Sequence, residues 1–132
     1  MEVSVTDSTA APVMKFIDCI NAHDARGIVA LCTPDHIFVD SLGAPLAGLA
    51  QIEEAWTGYF SLFNDYHIEV EALASTDALV LLSGWASGKV RISGTAWRIP
   101  AAWRALVRGG LIAGWQVYAD NKPVLEILRR EE

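Results

Sequence analysis

The chain has 132 residues, of which 52% are hydrophobic and 20% charged, a composition that excludes a disordered chain and allows one core but not two. The net charge is −6 and no segment clusters lysine or arginine, which excludes a nucleic-acid partner. No apolar run is long enough to cross a membrane, and residues 1–12 lack the pattern of a signal peptide. We expect one domain over residues 1–132, with residues 1–9 as a loose tail.

The cysteines and histidines show no pattern of a disulfide or metal site. Cys19 and Cys32 lie in apolar contexts without CxxC spacing, which predicts buried free thiols in a reducing cytoplasm. His23, His36 and His67 are too scattered to suggest zinc, and the last two are expected to be exposed at strand starts. A Gly-rich phosphate loop is also missing, so we expect no metal and no cofactor.

The first half of the chain reads as helices and one strand. Residues 10–32 carry apolar side chains at helical spacing, and the sequence NAHD interrupts them, with Asp24 as N-cap of a second helix over 25–32. A strand over 36–40 ends in Asp40. The loop GAPLAG then leads into a third helix over 49–63.

The second half changes to the period of strands. Segments rich in β-branched and aromatic residues alternate with turn signals, and a last helix starts near Pro123, capped by Asp120 or Asn121. Pro100 removes a ladder donor and suggests a bulge or kink. Helices followed by an antiparallel meander predict an α+β fold with helices on one face of a curved sheet. The predicted strands are 66–74, 78–87, 94–106 and 111–119.

The run VMKFIDCINAHDARGIVALCTPDHIFVDSLGAPLAG, followed by four strands ending in GWQVYAD, resembles the nuclear transport factor 2-like superfamily. This group includes ketosteroid isomerases and SnoaL-like polyketide cyclases. The resemblance covers nearly the whole chain and implies a cone, in which a bent antiparallel sheet wraps around the N-terminal helices and leaves a pocket at its open end. It also implies homodimers that pack sheet against sheet.

The resemblance places Asp40 at the position of the proton-shuttling Asp of ketosteroid isomerases. Two hydrogen-bond donors of those enzymes are missing, because Phe16 stands in place of a Tyr and Ala102 in place of a protonated Asp. Trp56 falls near a supporting Tyr, and its indole N–H could donate instead. Each missing donor is typically worth about 3 kcal/mol, which argues against steroid isomerisation.

Limonene epoxide hydrolase, another member, uses an Asp-Arg-Asp set. Gly84, Leu82 and Val117 stand near those positions, so the resemblance implies no such mechanism here.

Asp40 allows two interpretations. A strand-terminal Asp is often a turn starter, since its side chain binds the backbone that follows. Strand alternation also puts Asp40 on one face with Phe38 and His36, the face that opens into the cone in the family arrangement. We predict Asp40 as a pocket carboxylate first. The residues predicted to bind a ligand are Phe16, Phe38, Trp56, Tyr59, Phe60, Arg98, Ala102, Trp115 and Val117.

For the strand TAWRIPAAWRAL, two criteria disagree about which face points into the interior. Family parity puts Arg98, Pro100, Ala102 and Arg104 toward the cone, whereas hydrophobicity favours burying the other face. Both hold if the outer face is a dimer interface, so we expect a homodimer. Arg98 would then hold an acidic ligand or lie solvated at the rim. The other face carries Trp97, Ile99, Ala101 and Trp103.

Two functions fit these residues. The first is an acid/base enzyme (an isomerase, cyclase, dehydratase or hydrolase) that uses Asp40 on a small hydrophobic molecule. The second is a non-catalytic module that binds a small ligand or dimerises. An enzyme needs a second polar group opposite Asp40, for which Trp56, Tyr59 and Arg98 are the candidates, whereas a binder needs only an apolar wall.

Overall fold

Four helices and six strands make up residues 9–130, the part of the chain that the computed structural model describes. A loose tail is predicted over residues 1–9, and residues 1–8 of it lie outside the described residues. The elements are α1 (Ala10–Asn21), α2 (Ala25–Ala30), β1 (Cys32–Val39), β2 (Pro45–Ala47), α3 (Leu49–Leu62), β3 (Phe63–Thr76), β4 (Leu79–Val90), β5 (Ala96–Arg108), β6 (Leu111–Ala119) and α4 (Lys122–Arg130).

The strands form one open, curved sheet in the order β2-β1-β6-β5-β4-β3, which wraps around the helices as a cone. The predicted meander is confirmed, since β3 to β6 pair antiparallel in chain order. Two features were not predicted: β1 pairs parallel with β6, and part of the GAPLAG loop forms β2 against β1. Strands β2 and β3 are therefore the two edges of the sheet.

The helices pack their apolar stripes into the cone. On α1, Val13, Phe16, Ile17 and Ile20 are all buried, as their helical spacing predicts. Asp24 caps α2 as expected, because its Oδ1 accepts a hydrogen bond of 2.9 Å from the amide of Gly27. None of the helices within residues 9–130 is both long and apolar enough to cross a membrane.

In strand β5, the face that points into the cone is the opposite of the one that the family resemblance implied. Trp97, Ile99 and Trp103 are 6%, 3% and 1% exposed and point into the cone. Arg98 and Ala102 therefore face outward, and the ligand contacts predicted for them are wrong in this fold. Burying large aromatic side chains is favourable, whereas burying an unpaired guanidinium is costly, so hydrophobicity decides the register.

Pro100 also behaves differently from its prediction. It pairs with Trp85 inside an uninterrupted β4–β5 register, without a bulge. Pairing of β5 with β6 begins one residue later, at Ala101 opposite Ala119. The ladder with β6 therefore does not reach the missing N–H of Pro100.

Candidate functional site

A cavity of about 300 Å³ lies between α3 and the inner face of the sheet, at the lower end of the range for small-molecule sites. Its wall is predominantly apolar. It is lined by Phe38, Asp40, Ser41, Leu42, Ile52, Ala55, Trp56, Tyr59, Tyr66, Ala86, Trp97, Ile99, Ala101, Val117, Ala119 and Asn121.

Asp40 combines the two roles that its sequence context left open. Its Oδ1 accepts hydrogen bonds from the amides of Leu42 (2.9 Å) and Ala44 (3.0 Å), which shape the turn after β1. Within residues 9–130 its Oδ2 has no hydrogen-bond partner, and the residue lines the cavity. One oxygen thus builds the loop, and the other is available to a ligand or a proton.

A side-chain hydrogen bond joins two residues of the cavity wall. The amide nitrogen of Asn121, just before α4, donates a hydrogen bond to the hydroxyl of Ser41, just after Asp40. Both residues line the cavity. The loop that holds Asp40 is therefore linked to the start of α4. The Asn121 carbonyl accepts the first helical hydrogen bond there, 2.8 Å from the Leu125 amide, which places Asn121, one of the two predicted residues, at the cap. The Asp120 side chain accepts a hydrogen bond of 3.1 Å from the amide of Lys122.

Two tyrosines contribute the other polar atoms of the wall. Tyr59 on α3 and Tyr66 on β3 meet edge to face, with ring centroids 4.8 Å apart. Burial raises the pKa of Tyr59 to about 12, and a side-chain hydrogen bond from Tyr66 partly opposes that rise. Burial also raises the pKa of Tyr66 well above its ordinary value. Both phenols are neutral at physiological pH and act as hydrogen-bond donors.

Trp56, one of the predicted hydrogen-bond donors, does not present its N–H to the cavity. The ring of Trp56 lines the cavity beside Phe38, at a centroid distance of 5.5 Å. Its indole nitrogen is sealed from solvent and has no partner within the described residues. Arg98 is excluded as well, since it lies on the outer face, 3.3 Å from a carboxylate oxygen of Glu69 and 3.9 Å from the Trp85 ring centre. Of the three residues predicted as candidates for the second polar group, Tyr59 remains.

The structure divides the predicted ligand residues into three groups. Phe38, Trp56, Tyr59 and Val117 line the cavity, together with Asp40. Phe16, Phe60 and Trp115 are buried but do not line it; Phe16 and Trp115 pack on each other with centroids 4.9 Å apart. The remaining two lie on the outer face of the sheet.

Sequence reasoning missed Tyr66, which completes the polar pair. The signal was available: in YHIEV, Tyr66 alternates with Ile68, and both are buried inside the cone. The sequence also predicts Asn121 only as a candidate helix cap, whereas the residue lines the cavity. No sequence pattern indicates that the residue just before α4 lines the cavity.

His36 was expected to be exposed, and this prediction was wrong. The side chain is fully buried, and its Nδ1 donates a hydrogen bond of 2.7 Å to the carbonyl of Ile112. Its Nε2 is buried without a partner among the described residues, and burial lowers the pKa of the ring. His36 is thus a neutral core residue that joins β1 to β6. No group of three or more potential metal ligands occurs within residues 9–130.

A family profile for the SnoaL-like domain matches residues 13–115. The chain belongs to the SnoaL-like domain family. The resemblance seen in the sequence is thereby confirmed. None of the curated proteins compared with this SnoaL-like chain matches it.

Solved structures share the fold at low identity. A provisionally named SnoaL-like polyketide cyclase from Jannaschia sp. CCS1 is 14% identical, with a TM-score of 0.83 over 95% of this chain and 94% of its own. An NTF2-like protein from Burkholderia thailandensis E264 is 17% identical, with a TM-score of 0.79 over 91% and 96%.

A hypothetical protein with a ketosteroid isomerase-like fold from Catenulispora acidiphila, in complex with trimethylamine, is 19% identical, with a TM-score of 0.76 over 82% and 84%. At these identities, the likeness shows the fold alone.

Proposed function

We propose that this protein is an acid/base enzyme that moves a proton on a small, neutral, largely apolar carbonyl compound. Asp40 is the base, and Tyr59 is the donor to the carbonyl oxygen. The observation that carries the proposal is the composition of the cavity wall: one carboxylate and one pair of neutral phenols in otherwise mostly apolar surroundings.

The charges of the wall set the class of substrate. Among residues 9–130, Asp40 is the one charged side chain that lines the cavity, and no Lys, Arg or His of that part of the chain accompanies it. An anionic ligand would meet a carboxylate without a compensating cation, which is unfavourable in an apolar site. A neutral molecule with a single acceptor satisfies the Tyr59 hydroxyl without bringing a second negative charge next to the Asp40 carboxyl group.

The proposed reaction conserves atoms and charge. The free Oδ2 of Asp40 takes a proton from the carbon next to the carbonyl, and the C–H electron pair moves to form an enolate. The Tyr59 hydroxyl donates a hydrogen bond to the enolate oxygen, where the negative charge develops. Asp40 then returns the proton to carbon, at the same or another position. Isomerisation and ring closure can both proceed from such an enolate.

A non-catalytic binding module is the second candidate. The apolar wall is sufficient to hold a hydrophobic molecule, and the Asp40 side chain already has a structural role in the turn. Under this alternative, ligand affinity would be insensitive to the loss of the carboxylate, and no proton exchange would occur.

Proton–deuterium exchange of 2-tetralone in D2O, followed by NMR, separates the two. This ketone is neutral and apolar and has acidic hydrogens next to its carbonyl. We expect the protein to accelerate exchange, and Asp40→Asn to slow it by about 100-fold or more while keeping a turn acceptor. Tyr59→Phe should also slow it, whereas Tyr118→Phe, on the outer face, is the matched control.

Binding of 2-tetralone without accelerated exchange would favour the binding module. Failure to bind either 2-tetralone or its hydrocarbon counterpart tetralin would overturn both candidates.

A further inference from the structure

Tyr66 enters the cavity from an irregular part of β3. Asn64 pairs with Lys89, and His67 pairs with Ser87, so two residues of β3 oppose the single residue between those partners. The first of them, Asp65, has a φ of +58°, which a residue with a side chain rarely adopts. Such a β-bulge turns a side chain away from the direction that a regular strand gives it. Here the redirected segment carries Tyr66.

The break between α1 and α2 contacts this segment along the free edge of β3. His23, itself at a φ of +57°, donates from Nε2 to the Tyr66 carbonyl over 2.9 Å. A carbonyl can only accept, so Nε2 carries the proton. The His23 ring stacks on Phe60, with centroids 4.4 Å apart and planes within 4°, which fixes its orientation.

Asn21 makes a second contact with β3, two residues after Tyr66. Its side-chain amide donates to the Ile68 carbonyl over 3.1 Å and accepts from the Ile68 amide over 2.8 Å. Within residues 9–130, β3 is an edge of the sheet, so these backbone groups have no neighbouring strand from that part of the chain on that side. The NAHD sequence, which first indicated only a helix break, supplies three hydrogen bonds to the strand on both sides of His67.

We propose that Asn21 and His23 are positioning residues, which hold the bulged segment so that the Tyr66 hydroxyl reaches Tyr59. The inference rests on the proposed function, in which Tyr59 donates to the substrate oxygen. Tyr66 orients the Tyr59 hydroxyl, and the α1–α2 turn orients Tyr66. The substrate-facing donor is therefore positioned through the backbone of the edge strand.

NMR of protein labelled at the ring Cζ of tyrosine tests this directly, because the chain has only three tyrosines. His23→Ala should shift the Tyr59 and Tyr66 signals and raise the pKa of Tyr59, whereas His23→Gln, which keeps a side-chain N–H donor, should stay close to wild type. His67→Ala is the matched control on the same strand, since His67 is exposed.

A second readout is the ratio of affinities for 2-tetralone and tetralin, which should fall several-fold in His23→Ala. Asn21→Asp, which keeps the acceptor and removes the donor to Ile68, should act in the same direction and serves if His23→Ala does not fold.

Unchanged tyrosine signals in folded variants that have lost stability would overturn the inference and leave a purely structural turn. If wild type neither prefers 2-tetralone nor exchanges its protons, the proposed function fails, and the tyrosine signals still decide the positioning role.

Discussion

The ring of Tyr66 meets the ring of Tyr59 at an interplanar angle of 89°, although one stands on the edge strand β3 and the other on α3. Asp40 reaches the same cavity from the end of β1, with β6, β5 and β4 between β1 and β3 in the sheet. The curvature of the sheet thus brings a carboxylate and a phenol pair from distant strands to a single apolar space.

The two buried tyrosines should make the protein sensitive to alkali. The pKa of Tyr59 is raised to about 12 in the folded state, so the unfolded chain loses its phenol proton first, at about 10. The free energy of unfolding should therefore be unaffected below pH 10 and decrease as the pH rises from 10 toward 12. Urea unfolding over this range, compared between wild type and Tyr59→Phe, measures the effect. An equal loss of stability in both proteins would contradict it.

His36 should make the protein sensitive to mild acid. Burial lowers the pKa of its ring from 6.5, so the unfolded state binds the proton more readily. The free energy of unfolding should decrease as the pH falls below about 6.5, by at most about 1.4 kcal/mol per pH unit. Unfolding curves at pH 7.5 and 5.5 test this. His36→Asn should flatten the dependence, and the exposed His67→Asn should preserve it; the reverse pattern would refute the assignment.

Replacing glycine by alanine should change the stability of the protein in opposite directions at Gly84 and Gly58. A Cβ added to Gly84 would overlap the carbonyl of Glu69 at a bulge between β3 and β4, so Gly84→Ala should cost about 1–3 kcal/mol or more. Gly58 is exposed within α3, and no atom of the described residues lies within 4 Å of an added Cβ. Gly58→Ala should therefore stabilise the protein by about 0.5–1 kcal/mol. Thermal unfolding of both variants gives the comparison, and a tolerated Gly84→Ala would count against the strand register.

The homodimer stays a prediction, with different contact residues. Trp97, Ile99 and Trp103 are buried inside the cone and cannot form its interface. The outer face instead carries four large apolar side chains that are 37–48% exposed, an arrangement that favours association. These are Ile37, Leu81, Leu106 and Tyr118.

Light scattering should give twice the chain mass for wild type at micromolar concentration. Leu81→Asp should reduce it to the chain mass, and Leu62→Asp, on α3, is the control. A wild-type mass equal to that of one chain would contradict the predicted homodimer.

The sequence predicted most elements because local signals and packing agree in them. The apolar stripe of α1, the Asp24 cap and the four-strand meander follow from periodicity, capping chemistry and short turns. The parallel pairing of β1 with β6 joins segments distant in the chain, for which no local pattern exists.

The site was predictable to the extent that residue types define it. Strand alternation placed Phe38 and Asp40 correctly, but the family parity misplaced Arg98, because the apolar face of β5 is the one that packs into the cone. The Asn121 contact to Ser41 depends on how α4 folds back, which only tertiary packing determines.

The location of the polar groups on strands near opposite sides of the sheet has a consequence for folding order. Asp40 and Tyr66 reach one cavity only after β1 has paired with β6, a contact between residues about eighty positions apart in the chain. Long-range contacts of this kind close late and slowly. No stable fragment of the chain can therefore present both groups, and a molecule bound between them is linked to global unfolding rather than to local opening. Such a molecule should slow hydrogen exchange throughout the sheet, including strands that it never touches.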